Sequence, residues 1–261
     1  MKNVLAMGID IGSTSSKCVI LNDSSELAAK AVIPSGTGTS GPRRAVETAL
    51  NTAGINMEQI SYIIATGYGR NTYEAANESI SELTCHAKGA AWIMLGVRTV
   101  IDIGGQDIKA LSLSEDGTLQ NFIMNDKCAA GTGRFLDIMA RLFEIDVDKL
   151  AEHDEKADGI VSVSSTCVVF AESEVISQLA KNTPIPNLIA GIHQSAASRA
   201  ASLMKRAGIN EPILMTGGVA NNGGVVRALE RSLRVQIKTS TYSQIAGAIG
   251  AAIFALERLS S

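Results

Sequence analysis

Three glycine-bearing loops, each directly after a strand-like apolar run, constrain the fold of this chain more than any other feature. The loops lie within residues 8–17 (GIDIGSTSSK), 101–107 (IDIGGQD) and 213–220 (ILMTGGVA). Glycine lets a backbone approach a polyphosphate closely enough for its amide groups to reach the phosphate oxygens. One such loop is weak evidence, because many strand-to-helix turns contain glycine, but three loops together indicate nucleotide binding.

Polar side chains beside these loops fit a nucleotide bound with magnesium. Asp10 and Asp102 each stand two residues before a loop glycine, and carboxylate oxygens are ligands that Mg²⁺ prefers. Lys17 supplies a positive charge for a phosphate, and Gln106 suits the orientation of a water molecule. Asp10, Asp102 and Gln106 are therefore the candidate catalytic residues, and the sequence does not rank them.

The candidate nucleotide contacts lie in the three loops and near the start of the last predicted helix. They are Gly12, Ser13, Thr14, Ser15, Ser16, Lys17, Gly104, Gly105, Gln106, Asp107, Gly217, Gly218, Val219 and Gln244. In the third loop, the paired glycines allow a flat approach to an adenosine because they have no side chain.

Two common nucleotide motifs do not apply. The chain contains no Walker A string, and its literal G-x-G-x-x-G at residues 36–41 (GTGTSG) lies between Pro34 and Pro42. A dinucleotide-binding fingerprint follows the first strand of a βαβ unit, whereas residues 36–41 follow the third strand of a meander. We therefore interpret them as an ordinary loop.

Composition favours an α/β fold of about two domains. The 261 residues are 46% hydrophobic but only 4% aromatic, so Val, Ile, Leu and Ala must form the core, as in a sheet packed between helices. The net charge of −3 and the lack of a Lys/Arg run give no sign of a nucleic-acid partner.

The chain is expected to be cytoplasmic and free of membrane contact. No apolar run reaches the ~18 residues of a membrane helix, and residues 1–11 read as a buried strand rather than a signal peptide. In a reducing compartment the four cysteines would be free thiols, metal ligands or catalytic groups rather than disulfides.

A repeated pattern predicts an internal duplication. The same three-strand meander is predicted twice, at 3–12, 17–21 and 26–33 and again at 99–104, 109–114 and 119–124. The fragment Ile-Asp-Ile-Gly ends the first strand of both copies, at residues 9–12 and 101–104. We expect a first half formed by residues 1–96 with 244–261 and a second half formed by residues 97–243. The last helix, rich in Gly and Ala, should pack closely against the first half.

The three loops, the duplicated meander and the small-residue final helix resemble the superfamily of acetate kinase, sugar kinases, Hsp70 and actin. The resemblance covers nearly the whole chain. The first phosphate motif matches residues 10–17, the second matches residues 102–106, and the adenosine motif matches residues 215–220. This resemblance implies two ribonuclease H-like halves, with ATP and magnesium in a cleft between them.

Cys128 and Cys167 bear on what the ATP is used for. Both are predicted at helix N-termini, the second one with Ser164, Ser165 and Thr166 as capping residues. There the helix dipole and free amides would stabilise a thiolate or an anionic cluster. The alternative is two small buried residues, since free cysteine is common in cores. Two thiolates are also too few for an iron–sulfur cluster, which usually needs four, unless a two-fold axis doubles them.

The cysteine motifs resemble a narrower family, the activators of 2-hydroxyacyl-CoA dehydratases, with those of 2-hydroxyglutaryl-CoA dehydratase as the nearest branch. The motifs that match are 8–17, 66–70 (TGYGR), 85–90 (CHAKGA), 102–109, 128–135 (CAAGTGRF), 165–167 (STC) and 216–222. The resemblance implies a homodimer that holds one 4Fe–4S cluster through Cys128 and Cys167 of each chain. It also implies a ferredoxin or flavodoxin as electron donor and the dehydratase as electron acceptor.

We therefore expect an ATPase that couples nucleotide turnover to transfer of one electron from the cluster to a dehydratase. Nucleotide states would shift the cysteine-bearing helices and thereby change the reduction potential of the cluster. Two other functions stay open: a small-metabolite kinase of the same fold, and a non-enzymatic actin-like scaffold. Neither explains paired cysteines at helix starts.

Overall fold

The computed structural model describes residues 4–164 and 167–260. Of the three predicted helix caps, Ser165 and Thr166 lie outside these residues, and the prediction is wrong for Ser164, because Cys167 is the N-cap residue of the helix that begins at Val168. The strands are β1 Leu5–Ile11, β2 Ser16–Asn22, β3 Leu27–Ile33, β4 Tyr62–Thr66, β5 Glu78–Ser79, β6 Thr99–Ile103, β7 Ile108–Leu113, β8 Leu119–Asn125, β9 Ile213–Thr216 and β10 Ile237–Lys238. The α-helices are α1 Gly41–Ala53, α2 Glu82–Ile93, α3 Gly133–Leu142, α4 Leu150–Asp154, α5 Val168–Leu179, α6 Ile185–Ala207, α7 Gly223–Leu233 and α8 Ala246–Ser260.

The described residues form two compact units. The first contains the residues up to Val97, Leu113–Leu119 and those from Gln244 onward, and the second contains Arg98–Ser112 and Gln120–Ser243. Among the residues described, no helix is both long enough and apolar enough to span a membrane.

Each unit is built on a five-stranded sheet with the same strand order. The first sheet runs β3-β2-β1-β4-β5 and the second runs β8-β7-β6-β9-β10. The first strand of each sheet pairs antiparallel with the second and parallel with the fourth. The predicted duplicated α/β fold is therefore confirmed.

The central strands explain the apolar runs of the sequence. Every residue of β6 and all of β1 except Leu5 are buried, because helices cover both faces of a sheet that has parallel strands. In the second unit, apolar residues of α3, α6 and α7 pack with β6 and β9 into one core. Alanine is frequent on α6, where small side chains allow close packing.

Glycines bring α8 against α2 and β1 in the first unit. A Cβ atom at Gly250 would overlap the backbone carbonyl of Cys85 in α2, and one at Gly89 would overlap that of Ala246. Gly8 of β1 has the same relation to Ala248. The helix contacts both partners along its length, since no side chain separates the backbones at these three points.

Candidate functional site

An aspartate and a lysine face each other at the end of the central strand in both units. Asp10 of β1 is the register partner of Lys17 in β2, and Asp102 of β6 is the register partner of Lys109 in β7. The Nζ–Oδ2 distances are 3.1 Å and 3.2 Å. The duplication thus extends from the strand order to the charged side chains.

The hairpin loops between these pairs close in the same way. Gly12 donates its N–H to the carbonyl of Ser15, and Gly104 donates to the carbonyl of Asp107, both at 3.0 Å. The loop residues 12–15 and 104–107 are half-buried. Both loops are therefore partly open to solvent.

In each unit a threonine and a glycine lie next to this aspartate. Thr66 of β4 lies beside Asp10, and Thr216 of β9 lies beside Asp102. The glycines that follow, Gly67 and Gly217, have φ values of +86° and +83°. A Cβ at either position would overlap the adjacent aspartate or the strand backbone, so only glycine fits. Thr66 and Gly67 at the end of β4 were not predicted as part of the site, although they repeat Thr216 and Gly217 at the end of β9.

The two carboxylates differ in how many of their oxygen atoms are satisfied. Asp102 accepts bonds from Lys109 and, at 2.9 Å, from the Thr216 hydroxyl. Asp10 bonds Lys17 through Oδ2, but its Oδ1 is buried and has no hydrogen-bond partner among the described residues. A buried carboxylate oxygen without a partner is costly. Asp10 therefore fits a magnesium ion or a water molecule held by one.

Lys109 is a site residue that the sequence prediction missed. Its side chain is 1% exposed, and its Nζ also lies 2.7 Å from Asp107. The signal was present, since Lys109 follows Asp102 by seven residues just as Lys17 follows Asp10. Because Lys109 neutralises two carboxylates at the second loop, it can hold that loop in place, whereas Lys17 is 14% exposed.

Residues 34–40 form a loop that supports the first glycine loop, so the interpretation of residues 36–41 as a loop is confirmed except at Gly41, which begins α1. The Ser16 hydroxyl donates to the carbonyl of Ser35 at 2.8 Å, and Thr37 donates its N–H to the carbonyl of Gly12 at 2.9 Å. Ser16 is fully buried. In this arrangement its hydroxyl holds the supporting loop, whereas Ser13, Thr14 and Ser15 are partly exposed.

The third loop leads into a groove of the second unit. In this loop Gly218 is exposed and Val219 is buried. The chain from Ala220 onward lines a groove of about 410 Å³. Ala220 and Val226 give it apolar surface, and Asn221, Arg227 and Thr241 give it polar groups. A concave surface of mixed character beside an adenosine-type loop is suited to a purine. Gln244 lies in a short 3-10 helix, Ser243–Ile245, before α8.

A cluster of ionisable side chains lies next to the groove, which one of them, Arg227, also lines. Asp154 of α4 lies 3.2 Å from both His193 Nδ1 of α6 and Arg227 Nη2 of α7. The contact with His193 lowers the pKa of Asp154 below its ordinary value, with a smaller contribution from Arg227, although desolvation opposes the change. The cluster therefore ties three helices together on the inner side of the groove.

The four cysteines fall into two classes. Cys18 and Cys85 are fully buried, and desolvation raises the pKa of both, that of Cys85 to about 12. Such thiols are poor metal ligands and nucleophiles, so Cys18 and Cys85 serve as core residues. Cys128 and Cys167 are half-buried and are the thiols that an external group can reach.

The prediction that both reachable cysteines start a helix is half right. Cys167 is the N-cap residue of α5. Cys128 is not at a helix start, because Thr132 is the N-cap of α3. The intervening residues form a turn in which Thr132 donates to the carbonyl of Ala129 and Gly131 has a φ of +84°. A dipole argument therefore applies to Cys167 only.

The cysteine loop is joined directly to the second phosphate loop. The first two residues of α3, Gly133 and Arg134, donate their N–H groups to the carbonyls of Gly104 and Gly105, both at 2.9 Å. A Cβ at Gly133 would lie 3.3 Å from the Gly104 carbonyl and 3.6 Å from Val219. Two predicted nucleotide loops thus meet the N-terminus of the helix that follows Cys128.

The comparison with known families gives one match along nearly the whole chain. Residues 7–255 match the BadF/BadG/BcrA/BcrD ATPase family. The (R)-2-hydroxyglutaryl-CoA dehydratase activating ATPase of Acidaminococcus fermentans is 54% identical, with 98% of each chain covered. The activator of lactoyl-CoA dehydratase of Anaerotignum propionicum is 51% identical, with 96% of this chain and 97% of the relative covered.

Solved structures show the same similarity to dehydratase activators. The activator of the 2-hydroxyisocaproyl-CoA dehydratase from Clostridium difficile, solved with bound ADPNP, has a TM-score of 0.96 and 49% identity, covering 98% of this chain and 96% of that chain. A ROK family glucokinase from Streptomyces griseus has a TM-score of 0.58 at 14% identity, covering 97% and 99%, and this likeness shows the fold alone. The expected family resemblance and the expected ATPase class are confirmed, and the chain belongs to the BadF/BadG/BcrA/BcrD ATPase family.

Proposed function

We propose that this protein is an ATP-hydrolysing iron–sulfur reductase that activates a 2-hydroxyacyl-CoA dehydratase by one-electron transfer. The named relatives are activators of such dehydratases, and an identity of 54% with the first, against 51% with each of the other two, favours 2-hydroxyglutaryl-CoA as the substrate of the partner enzyme. Four free thiols suit a cytoplasmic location.

One observation carries the proposal: the two backbone hydrogen bonds from Gly133 and Arg134 to the loop at Gly104 and Gly105. Any change at that loop on nucleotide binding or hydrolysis moves the start of α3. Cys128 precedes this start by a single turn. A coupling between ATP and a redox group needs a physical connection of this kind. Here two adjacent hydrogen bonds provide it.

ATP with magnesium is assigned to the glycine loops that follow β1, β6 and β9. Loop amides and Lys17 would bind phosphate oxygens, Asp10 and Asp102 would hold the cation or its waters, and Gln106 would orient the attacking water. The groove beside Val219 and Ala220 would take the purine. The unsatisfied Oδ1 of Asp10 is the feature that supports a cation most directly.

The reachable thiols fit a 4Fe–4S cluster shared by two copies of the chain. Each chain offers Cys128 and Cys167, and four thiolates are the usual ligand set, so a two-fold axis supplies the missing pair. The outer face of α5 exposes Val169 and Phe170, which are 63% and 64% accessible, directly after Cys167. An exposed apolar face next to a half-complete ligand set is suited to a second copy.

When bound, the cluster would supply one electron at a time. A ferredoxin or flavodoxin would give one electron to the oxidised protein, and the reduced protein would pass that electron to the dehydratase. No atom is transferred in either step, and ATP hydrolysis supplies the driving force through the loop at Gly104.

The test is iron analysis of protein purified without oxygen, with and without ATP. We expect a brown dimer with about two iron atoms per chain, since four irons would serve two chains. Cys128→Ala should lose the iron and keep ATP binding. Cys18→Ala is the matched control and should keep both, because Cys18 is buried in the first sheet.

Three results would contradict the proposal. One is a colourless, iron-free monomer that still activates the dehydratase. Another is undiminished iron in Cys128→Ala. The third is iron-free protein that phosphorylates a small metabolite, which would favour a kinase of the same fold.

A further inference from the structure

Arg199 of α6 contacts the sulfur of Cys128. Its Nη2 lies 3.3 Å from Cys128 Sγ, within the range of an N–H···S hydrogen bond. The two residues are 71 positions apart in the chain, so only the tertiary fold brings them together. No sequence motif of the chain includes Arg199.

The cysteine loop is shaped to make this contact. Gly131 has a φ of +84°, and a Cβ there would lie 3.0 Å from Cβ and 3.3 Å from Cγ of Arg199. The loop therefore rests on the aliphatic stem of Arg199 while Cys128 meets its head group. The loop geometry and the polar contact are independent observations that place the same arginine under the same loop.

A guanidinium beside a cysteine ligand has two physical consequences. First, a charge-assisted hydrogen bond to the sulfur restrains the side chain of the ligand. Second, one-electron reduction adds a negative charge to an iron–sulfur cluster, and a nearby positive charge stabilises that more negative state. The reduction potential is then higher than it would be without the arginine.

We propose that Arg199 is a positioning residue that orients Cys128 and raises the reduction potential of the cluster which Cys128 ligates. The inference rests on the proposed function, since it takes Cys128 as a cluster ligand. It adds a role for α6, which carries none of the predicted ligands or nucleotide contacts.

The experiment is a reductive titration of the oxygen-free dimer, followed by electron paramagnetic resonance, with iron measured on the same samples. Arg199→Gln removes the charge and should shift the midpoint potential to a more negative value. Arg199→Lys keeps the charge but loses the planar fork, so its shift should be smaller. Arg206→Gln removes one positive charge from an exposed position of the same helix and should leave the potential unchanged.

The outcomes separate the two claims. Wild-type protein without iron overturns both the proposed function and the role of Arg199. Wild-type protein with iron, together with an Arg199→Gln variant of unchanged potential and unchanged iron, overturns the role of Arg199 alone. If Arg199→Gln binds ATP normally but holds no iron, orientation of Cys128 is supported, and the lysine variant then decides the effect on the potential. An equal shift of the potential in Arg206→Gln would show that the effect comes from the overall charge of the helix. It would overturn the claim that the contact of Arg199 with Cys128 raises the potential.

Discussion

At the residue scale, the buried lysine is the least expected feature. Lys109 is 1% exposed and lies within 3.2 Å of Asp102 and 2.7 Å of Asp107. A buried ammonium is tolerated only when carboxylates compensate it. Its counterpart Lys17 is 14% exposed and lies 3.1 Å from Asp10. The two units thus share a pattern but differ in how deeply the lysine is buried.

We predict that Lys109→Met destabilises the protein by about 3–5 kcal/mol, because it leaves two carboxylates without their buried partner. Chemical denaturation, followed by far-ultraviolet circular dichroism, measures the change. Lys149→Met is the control, since Lys149 and its partner Glu152 are exposed, and it should unfold like the wild type. Equal unfolding midpoints for the two variants would show that Lys109 is not structurally important.

At the element scale, the contact between α2 and α8 depends on the absence of side chains. A Cβ at Gly250 would overlap the Cys85 carbonyl, and backbone atoms cannot move aside as a flexible side chain can. Gly250→Ala should therefore destabilise the protein by about 1–3 kcal/mol, as overpacking does. Thermal unfolding is the measurement. In the control Gly159→Ala, the new Cβ would meet only Asn187 Nδ2 at 3.5 Å, and a comparable loss there would refute the packing argument.

The cluster that joins α4, α6 and α7 should make stability depend on acid pH. The contact with His193 lowers the pKa of Asp154 below its ordinary value in the folded protein. The ionised carboxylate therefore contributes stability above about pH 4, and this contribution is lost as the pH falls through the folded pKa.

Asp154→Asn should accordingly be less stable than the wild type at pH 7 and should show a weaker loss of melting temperature between pH 5 and pH 3. Melting curves across that range test both points. Glu58→Gln removes an exposed carboxylate and should reproduce the wild-type profile. If Asp154→Asn also follows the wild-type slope, another acid group governs the transition.

At the scale of the whole molecule, the proposed cluster requires two copies of the chain. Phe170 is 64% exposed on α5, three residues after a proposed ligand. We predict that Phe170→Glu places a charge in the dimer interface, so that analytical ultracentrifugation finds monomers and iron is lost. Leu95→Glu is the control, because Leu95 is 96% exposed and lies in the first unit. A dimer that survives Phe170→Glu with its iron would place the interface elsewhere.

Local patterns in the sequence determined much of this protein. Apolar runs marked the central strands because β1 and β6 are buried on both faces, and the repeated Ile-Asp-Ile-Gly revealed the two copies. Glycine after each run marked the loops, since turn geometry depends on neighbouring residues. The strings around Cys128 and Cys167 predicted a functional role for these two cysteines from their expected place at helix starts.

Only the tertiary structure decided the rest, because it depends on residues distant in the chain. The bond from Thr216 to Asp102 spans 114 positions and that from Arg199 to Cys128 spans 71. Burial of Lys109, the helix start at Gly133 rather than Cys128, and the link from α3 to the Gly104 loop follow from strand register and helix packing. No local propensity encodes which distant carbonyl or carboxylate will stand opposite a given group, so those contacts emerge only when the sheets and helices assemble.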